Sequence, residues 1–155
     1  MATRTQLKTA LFNLLSAAQF PFAVNGSLTW VTTSRRLKLF DALDVSQQPA
    51  MFLVQHKEEY QQNNRGTPGV KYLDMGVWCY APTGIDSVVG DDYLDWMMQG
   101  IEDVLVPDQP QTNEVTLGGL CYFCRIERSS NLFIRDPGDI DGQALLVVPI
   151  RICMP

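Results

Sequence analysis

Two cysteines three positions apart are the most motif-like residues of this chain. Cys121 and Cys124 have the spacing of redox-active and zinc-binding cysteine pairs. The redox version places its first cysteine at a helix N-terminus, whereas the residues around this pair have the composition of a strand. Positions three apart on a strand point to opposite faces, so we expect Cys121 and Cys124 to be separated and to act as small core residues.

A lone histidine is the next candidate for chemistry. His56 is the only histidine, so a histidine-rich metal site is excluded, and what remains is a general base with Glu58 or Glu59 as its carboxylate partner. The residues that follow are polar, charged and glycine-bearing, which is typical of a solvated surface. We therefore expect His56 to be solvated and without a catalytic role.

Aspartates near the C-terminus could suggest a calcium site. Asp136, Asp139 and Asp141 resemble the start of a calcium loop, but the glutamate that would complete the loop is missing, because Gly142 leads straight into a strand. The spacing of these aspartates, with a proline and two glycines among them, favours a turn.

A glycine pair could suggest a phosphate loop. Gly118 and Gly119 follow Leu117, but the segment has neither the lysine nor the strand–loop–helix context of a nucleotide site, so we expect a bulge or a close backbone approach. No nucleophile–base pair can be identified either. The sequence therefore predicts a protein that is not an enzyme, with no catalytic residue, no cofactor and no metal.

Composition limits the remaining classes of function. The chain has 155 residues, of which 46% are hydrophobic and 19% are charged, and this is typical of one globular domain covering residues 1–155. Twelve Lys and Arg against 17 Asp and Glu give a net charge of −5, which disfavours a protein that grips nucleic acid phosphates. No apolar run approaches the roughly 20 residues of a membrane helix, so no membrane partner is expected. Four cysteines in a chain of this length indicate a reducing compartment.

The first element that the periodicity predicts is an amphipathic helix. Thr3 and Gln6 have the spacing of a capping box, and we expect the helix to continue to Phe20, because Pro21 follows. Its apolar stripe consists of Leu7, Ala10, Leu11, Leu14, Leu15 and Ala18.

A second helix is predicted over residues 93–105. Asp91 or Asp92 is expected to cap it, and Pro107 ends it.

Strand patterns fill the rest of the chain. They cover residues 27–33, 50–55 and 70–81, and two long strands joined by the acidic turn lie within residues 114–152. The fold class expected from this order is α+β: a mainly antiparallel sheet of about four to five strands, with two main helices packed on it and a projecting hairpin arm.

The projecting arm is expected at residues 57–69. Loops of this length inside a compact domain usually carry function or move, and the flanking strands could extend into it. The candidate interface residues of the arm are Glu58, Glu59, Tyr60 and Arg65, with the tip near residues 63–66.

An aromatic strand face provides the other candidate interface residues. Tyr72, Trp78 and Tyr80 alternate on one face of the strand at residues 70–81, and such a face is unusual for a freely solvated monomer. We expect another subunit, or the second helix, to cover it.

The order of these elements resembles that of the tail terminator (tail completion) proteins of long-tailed bacteriophages. The resemblance spans nearly the whole chain and lies in the order of short local patterns. They are the N-terminal amphipathic helix, Pro49-Ala50-Met51-Phe52-Leu53 before a polar arm, the second helix followed by a proline, Thr116-Leu117-Gly118-Gly119, Asp141-Gly142-Gln143-Ala144, and Val148-Pro149-Ile150-Arg151-Ile152. The Cys121/Cys124 pair and the acidic turn depart from the family's pattern.

The resemblance implies a virion structural protein that is assembled in the cytoplasm of a bacterial host. Its partners would be its own copies in a ring of six, the tail tube protein and the head–tail connector protein, with DNA passing through the lumen without specific binding. Such a ring stops tube polymerisation and joins the tail to the head. A net charge of −5 suits a lumen to which DNA does not adhere.

Other readings stay open. The nearest are another phage head–tail connector and a tail tube subunit. A small cytoplasmic thiol or zinc protein that uses Cys121 and Cys124, and a bacterial interaction domain with no virus involved, are the remaining alternatives.

Overall fold

A computed structural model of the chain describes residues 1–20, 28–62, 69–83, 89–138 and 142–155. Helix α1 spans Arg4–Ser16, and the predicted capping box is confirmed: Thr3 Oγ1 accepts a hydrogen bond from the Gln6 amide, and Gln6 Oε1 accepts one from the Thr3 amide. The helix stops before Phe20, because strand β1 (Gln19–Phe20) pairs antiparallel with strand β2 (Leu28–Thr29). The buried residues of α1 are Leu7, Leu11 and Leu15.

Six strands form the main sheet, and the predicted α+β class is confirmed. The strands are β3 (Thr32–Ser34), β4 (Ala50–Gln61), β5 (Val70–Pro82), β6 (Phe123–Ile126), β7 (Ile134–Asp136) and β8 (Gln143–Met154). The order across the sheet is β3-β4-β5-β8-β6, and β7 pairs with the first half of β8. Among the strand pairs of this sheet in the described ranges, only β3–β4 is parallel. The sheet is therefore mixed and slightly larger than predicted.

The strand predicted over residues 27–33 is two short strands in two different sheets. Trp30 lies between them, with its Nε1–H donating to the Leu15 carbonyl at 3.0 Å. Its ring packs edge-on against Phe20 with 4.6 Å between centroids. Burial of this one ring bends the chain, so that β2 stays with β1 and β3 leaves to join β4.

The hairpin predicted within residues 114–152 has the expected antiparallel pairing but a much shorter first strand. β6 pairs with β8 from Phe123 opposite Cys153 to Ile126 opposite Ile150. The preceding residues form a tight turn instead of a strand, because Leu117, Gly118 and Gly119 all have positive φ, at 53°, 74° and 84°. No atom lies within 4 Å of a Cβ built on either glycine, so the expectation of a close backbone approach is wrong.

Helix α2 spans Gly90–Val104 and packs on β8 and β5. Its N-cap is Val89, which makes no side-chain cap bond, so the predicted aspartate cap is wrong. Asp91 and Asp92 instead lie in the first turn, where carboxylates favour the positive end of the helix. No described helix is long and apolar enough to span a bilayer.

The sheet has two unlike faces. The helix-covered face carries the apolar side chains of β4, β5 and β8 that form the main core with α1 and α2. These side chains are Met51, Leu53, Leu73, Met75, Val77, Cys79, Leu146, Val148, Ile150 and Ile152. The opposite face, called the open face below, carries Phe52, Asp74, Trp78, Tyr80 and Arg151.

Candidate functional site

A bulge in β4 decides where the predicted interface residues lie. Gln55 pairs with Met75 and Lys57 with Asp74, so His56 is an extra residue in β4 and the alternation of side chains reverses after it. Glu58 therefore points to the helix-covered face and Glu59 to the open face.

The predicted set of interface residues is thus divided between two faces. Glu58 and Tyr60 share one face, while Glu59, Tyr72, Trp78 and Tyr80 share the other. Arg65 and the predicted arm tip at residues 63–66 lie outside the described residues. The paired part of the arm runs to Gln61 opposite Val70.

On the helix-covered side, the arm is tied to α1. The Arg4 guanidinium bonds the Glu58 carboxylate through two nitrogens, with Nε 2.8 Å from Oε2, and this lowers the pKa of Glu58. The Lys8 ammonium bonds the Gln55 amide oxygen. Tyr60 stays 57% exposed, with its ring over the backbone of Gly69. Tyr60 thus presents an exposed aromatic side chain on this side of the arm.

His56 lies on the open face at the bulge and is not the solvated residue that the sequence indicated. Its ring occupies the space above Gly76, where an added Cβ would fall 2.0 Å from Nε2. The Trp78 ring is 6.5 Å away between centroids. His56 Nε2 and Trp78 Nε1 are both buried without a hydrogen-bond partner, which is uncommon for buried polar atoms.

An ion network crosses the open face beside these rings. Arg151 Nε is 2.7 Å from Asp74 Oδ1, and its Nη2 is 2.9 Å from Asp74 Oδ2 and 2.7 Å from Glu59 Oε2. The same guanidinium stacks over the Tyr72 ring at 5.1 Å. The bond to Asp74 raises the pKa of Arg151 above its usual value. Lys57 adds contacts of 3.1 Å to Glu59 and 3.7 Å to Asp74.

A cleft of about 490 Å³ opens next to this network. Lys57, Asp74 and Arg151 form one wall, and Glu127 and residues 129–132 contribute to the other. Because Asp74 and the neighbouring Glu59 pair with both cations, the charges of this network cancel. The wall offers polar edges to a protein partner more readily than a strong charge to a small ion.

At the other end of the open face, the chain covers its own aromatic residues. Tyr80 is 4% exposed, and its ring contacts Phe40 and Phe52 with centroids 5.9 Å away in both cases. Leu37 and Leu43 complete this small second core. The second helix, which packs on the opposite face, does not cover these rings, so that part of the expectation is wrong.

Trp78 remains partly exposed at the border of this second core. It lines a cleft of about 320 Å³ together with Leu39, Phe40 and Leu145. Among the predicted aromatic residues, Tyr72 and Trp78 therefore stay accessible, whereas Tyr80 is a core residue.

The four cysteines are free and buried. Cys121 lies in the turn before β6, so the expected separation of Cys121 and Cys124 onto opposite strand faces is wrong, and both join the main core. Burial raises the pKa of Cys121 to about 12 and raises that of Cys124 as well. Within the described ranges, no group of three or more His, Cys, Asp or Glu residues could hold a metal ion.

The acidic turn is described only in part. Asp136 Oδ1 accepts a hydrogen bond from the Gly138 amide at 2.9 Å, and Gly138 has a φ of 70°, as expected for a turn. Asp139 and Asp141 lie outside the described residues.

Asp108 is a structural residue that the sequence patterns missed. Its carboxylate accepts hydrogen bonds from the Thr116 amide (2.7 Å), the Thr116 hydroxyl (2.8 Å) and the Gly118 amide (2.8 Å). These bonds lower its pKa. One carboxylate from outside the turn thus holds the positive-φ turn before β6. An aspartate ten residues before a glycine pair gives no local signal of this role.

Comparison with protein-family models gave no matching family, and comparison with curated proteins gave no match.

Proposed function

We propose that this chain is a structural virion protein, a tail terminator that forms a ring at the head-proximal end of a bacteriophage tail tube. The ring stops tube polymerisation and joins the tail to the head connector. The observation that carries the proposal is the order of elements along the chain. A capped helix comes first, and a long strand pair opening after Pro49 follows. A helix before Pro107 and a final strand containing Pro149 complete the order.

The open face supports a role in assembly. Tyr72 and Trp78 stay partly exposed there, and Trp78 lines a cleft. Aromatic groups, arginine and a polar rim are the composition of a protein–protein interface.

The alternative of a thiol enzyme is disfavoured by the state of the cysteines. A reactive thiol needs a lowered pKa and access to solvent. Burial instead raises the pKa of Cys79, Cys121, Cys124 and Cys153.

Electron microscopy tests the proposal directly. The purified chain is imaged alone and after mixing with growing tubes of a bacteriophage tail tube protein. We expect closed rings or single subunits alone, and tubes that carry a ring at one end and stop lengthening. Long rods formed by the chain itself would assign it to the tube subunits. Tubes that neither bind it nor stop growing would contradict the proposal.

Deletion of residues 61–67 tests whether the predicted arm contributes to assembly. The sheet pairs of β4 with β5 up to Tyr60 opposite Lys71 remain possible without them. We expect cooperative unfolding to persist and ring formation or tube docking to weaken. If circular dichroism shows an unchanged fold, weaker assembly is assigned to the loss of the arm and not to unfolding. Global unfolding would show that these residues belong to the folded core.

A further inference from the structure

Charge is distributed unevenly along the chain. Residues 1–71 contain eight Lys and Arg against four Asp and Glu, whereas residues 72–155 contain four against thirteen. The net charge of −5 therefore conceals a basic first half and a strongly acidic second half.

The fold places these two halves at opposite edges of the sheet. β3 lies at one edge and β7 beside β8 at the other. One register row crosses the whole sheet, from Thr32 through Ala50, Tyr80 and Leu145 to Asp136. Four strand spacings of about 4.8 Å separate the ends of this row, which is roughly 19 Å.

The basic edge consists of Lys8, Arg35, Arg36 and Lys38, on α1 and on the segment that leaves β3. Arg35 donates to the Thr9 hydroxyl at 3.1 Å, and Arg35, Arg36 and Lys38 are exposed. Within the described part of the chain, none of the four forms an ion pair.

The acidic edge consists of Asp91, Asp92 and Asp95 on the first turns of α2, with Asp136 on β7. Arg135 bonds Asp91 at 3.0 Å and Asp95 at 2.8 Å, so one cation holds the helix start against β7 and leaves an excess of carboxylates. The side chains of Asp91 and Asp95 are still 63% and 62% exposed.

Each edge also exposes apolar side chains. Val31 (58%) flanks the basic edge, while Val89 (60%) and Ile134 (39%) flank the acidic edge. An interface core needs such groups, because surface charges alone contribute little affinity.

We propose that a second copy of this chain docks its acidic edge on the basic edge of the first. The inference rests on the proposed ring and specifies how its subunits meet. The two patches differ and lie on opposite sides, so each bound copy leaves one patch free for the next, and the contact is head-to-tail. Opposite charge steers the encounter, and like-charged orientations repel.

Charge reversal tests the contact. Arg36→Glu and Asp92→Arg each reverse one exposed charge, at the basic and the acidic edge respectively. Lys71→Glu and Asp103→Arg are the matched controls, because both side chains are exposed and belong to neither edge. Self-association is measured by sedimentation at ionic strengths from 0.01 M, where charges act over about 30 Å, to 0.15 M, where they act over about 8 Å.

The proposal expects a specific pattern of results. The unaltered chain associates at low ionic strength and dissociates as salt rises. Each edge variant associates about tenfold more weakly, and the controls do not change. An equimolar mixture of Arg36→Glu and Asp92→Arg recovers association, because each acidified edge then meets an edge made basic.

Three results would overturn the inference: a chain that stays monomeric at about 1 mM and low salt, edge variants that behave as the controls do, or a mixture that recovers nothing. Binding of duplex DNA that Arg36→Glu abolishes would assign the basic edge to phosphates instead. The proposed function is judged separately. If all variants cap tubes equally well, the edge contact is wrong and the terminator role stands. If the chain instead forms open filaments that dissolve in salt, the edge contact stands and the terminator role is wrong.

Discussion

On the helix-covered face, the strands β4, β5 and β8 present apolar side chains that α1 and α2 bury. On the open face, the same three strands present Glu59, Asp74 and Arg151 at one end and Tyr80 under the 37–43 segment at the other. The first face is stabilised by apolar area removed from water, and the second by paired charges and partial cover. The open face thus combines charged groups that stay in contact with water and aromatic groups that the chain partly covers. Substitutions that remove either apolar packing or paired charges therefore measure how much each face contributes to stability.

The largest effect is expected on the helix-covered face. Ile101 on α2 is fully buried, and Ile101→Ala removes methyl and methylene groups from a packed core, so we expect a loss of about 2–5 kcal/mol in the free energy of unfolding. Urea denaturation measures it. Val106→Ala, at a side chain 61% exposed, is the control and should stay within about 0.5 kcal/mol. Similar losses for the two variants would contradict the assigned packing.

The charge network of the open face should rank second. Arg151→Met removes the closer of the two cations that Asp74 and Glu59 share and leaves them the more exposed Lys57. Because the side chains of Arg151 and Asp74 are 24% and 13% exposed, we expect a loss of about 2 kcal/mol in the free energy of unfolding. The double variant with Asp74→Leu should recover part of it in a double-mutant cycle. Arg125→Met, whose ion pair with Glu127 is more exposed, should cost less. A coupling energy near zero would show that Arg151 and Asp74 do not act as a pair.

A substitution beneath the bulge residue His56 should have a smaller effect on stability. Gly76→Ala places a methyl group on the His56 ring, which can rotate away only by leaving its pocket beside Trp78, so we expect a loss of about 1–2 kcal/mol. His56→Ala in the same chain should relieve the strain, as thermal unfolding of the single and double variants would reveal. If the double variant is no more stable than Gly76→Ala, the clash lies with another group.

Asp108, outside both faces, should give the smallest effect. Asp108→Asn weakens three hydrogen bonds at an exposed site, and we expect a loss of no more than about 1 kcal/mol near neutral pH. The folded-state pKa of Asp108 lies below the unfolded value of about 3.9, so its stabilisation is complete above that pH and disappears as pH falls through the folded value. The difference between the wild type and Asp108→Asn should therefore shrink in acid. A constant difference would show that ionisation is not involved.

Periodicity and capping predicted much of the fold, because those signals are local. Thr3 with Gln6, the stripe of Leu7, Leu11 and Leu15, and the alternation of Leu73, Met75 and Val77 all appear in the structure as expected. Errors arose where a distant group overrides local preference. Burial of Trp30 under Leu15 splits one predicted strand, and the Asp108 carboxylate turns the residues before β6 into a loop.

The candidate surface was predicted only in part, because its composition depends on register. Alternation correctly grouped Tyr72 with Trp78 and Tyr80, but no local signal showed that Phe40 would cover Tyr80. The bulge at His56 reverses the side of residues 57–61, and Gly76, over which the His56 ring lies, is twenty positions away. The pairing of Arg151 with Asp74 likewise requires β8 to lie beside β5 in one register.

The outer side of β4 shows how a folded chain of this kind can avoid fibre formation. β3 pairs with β4 only as far as Phe52, and along the described residues no strand covers the remaining stretch up to Gln61. A straight, apolar strand with an uncovered side is a template for cross-β growth. Here the bulge bends that side, and Lys57, Glu58 and Glu59 place charges along it. Both features disfavour the pairing of another strand with the uncovered side of β4.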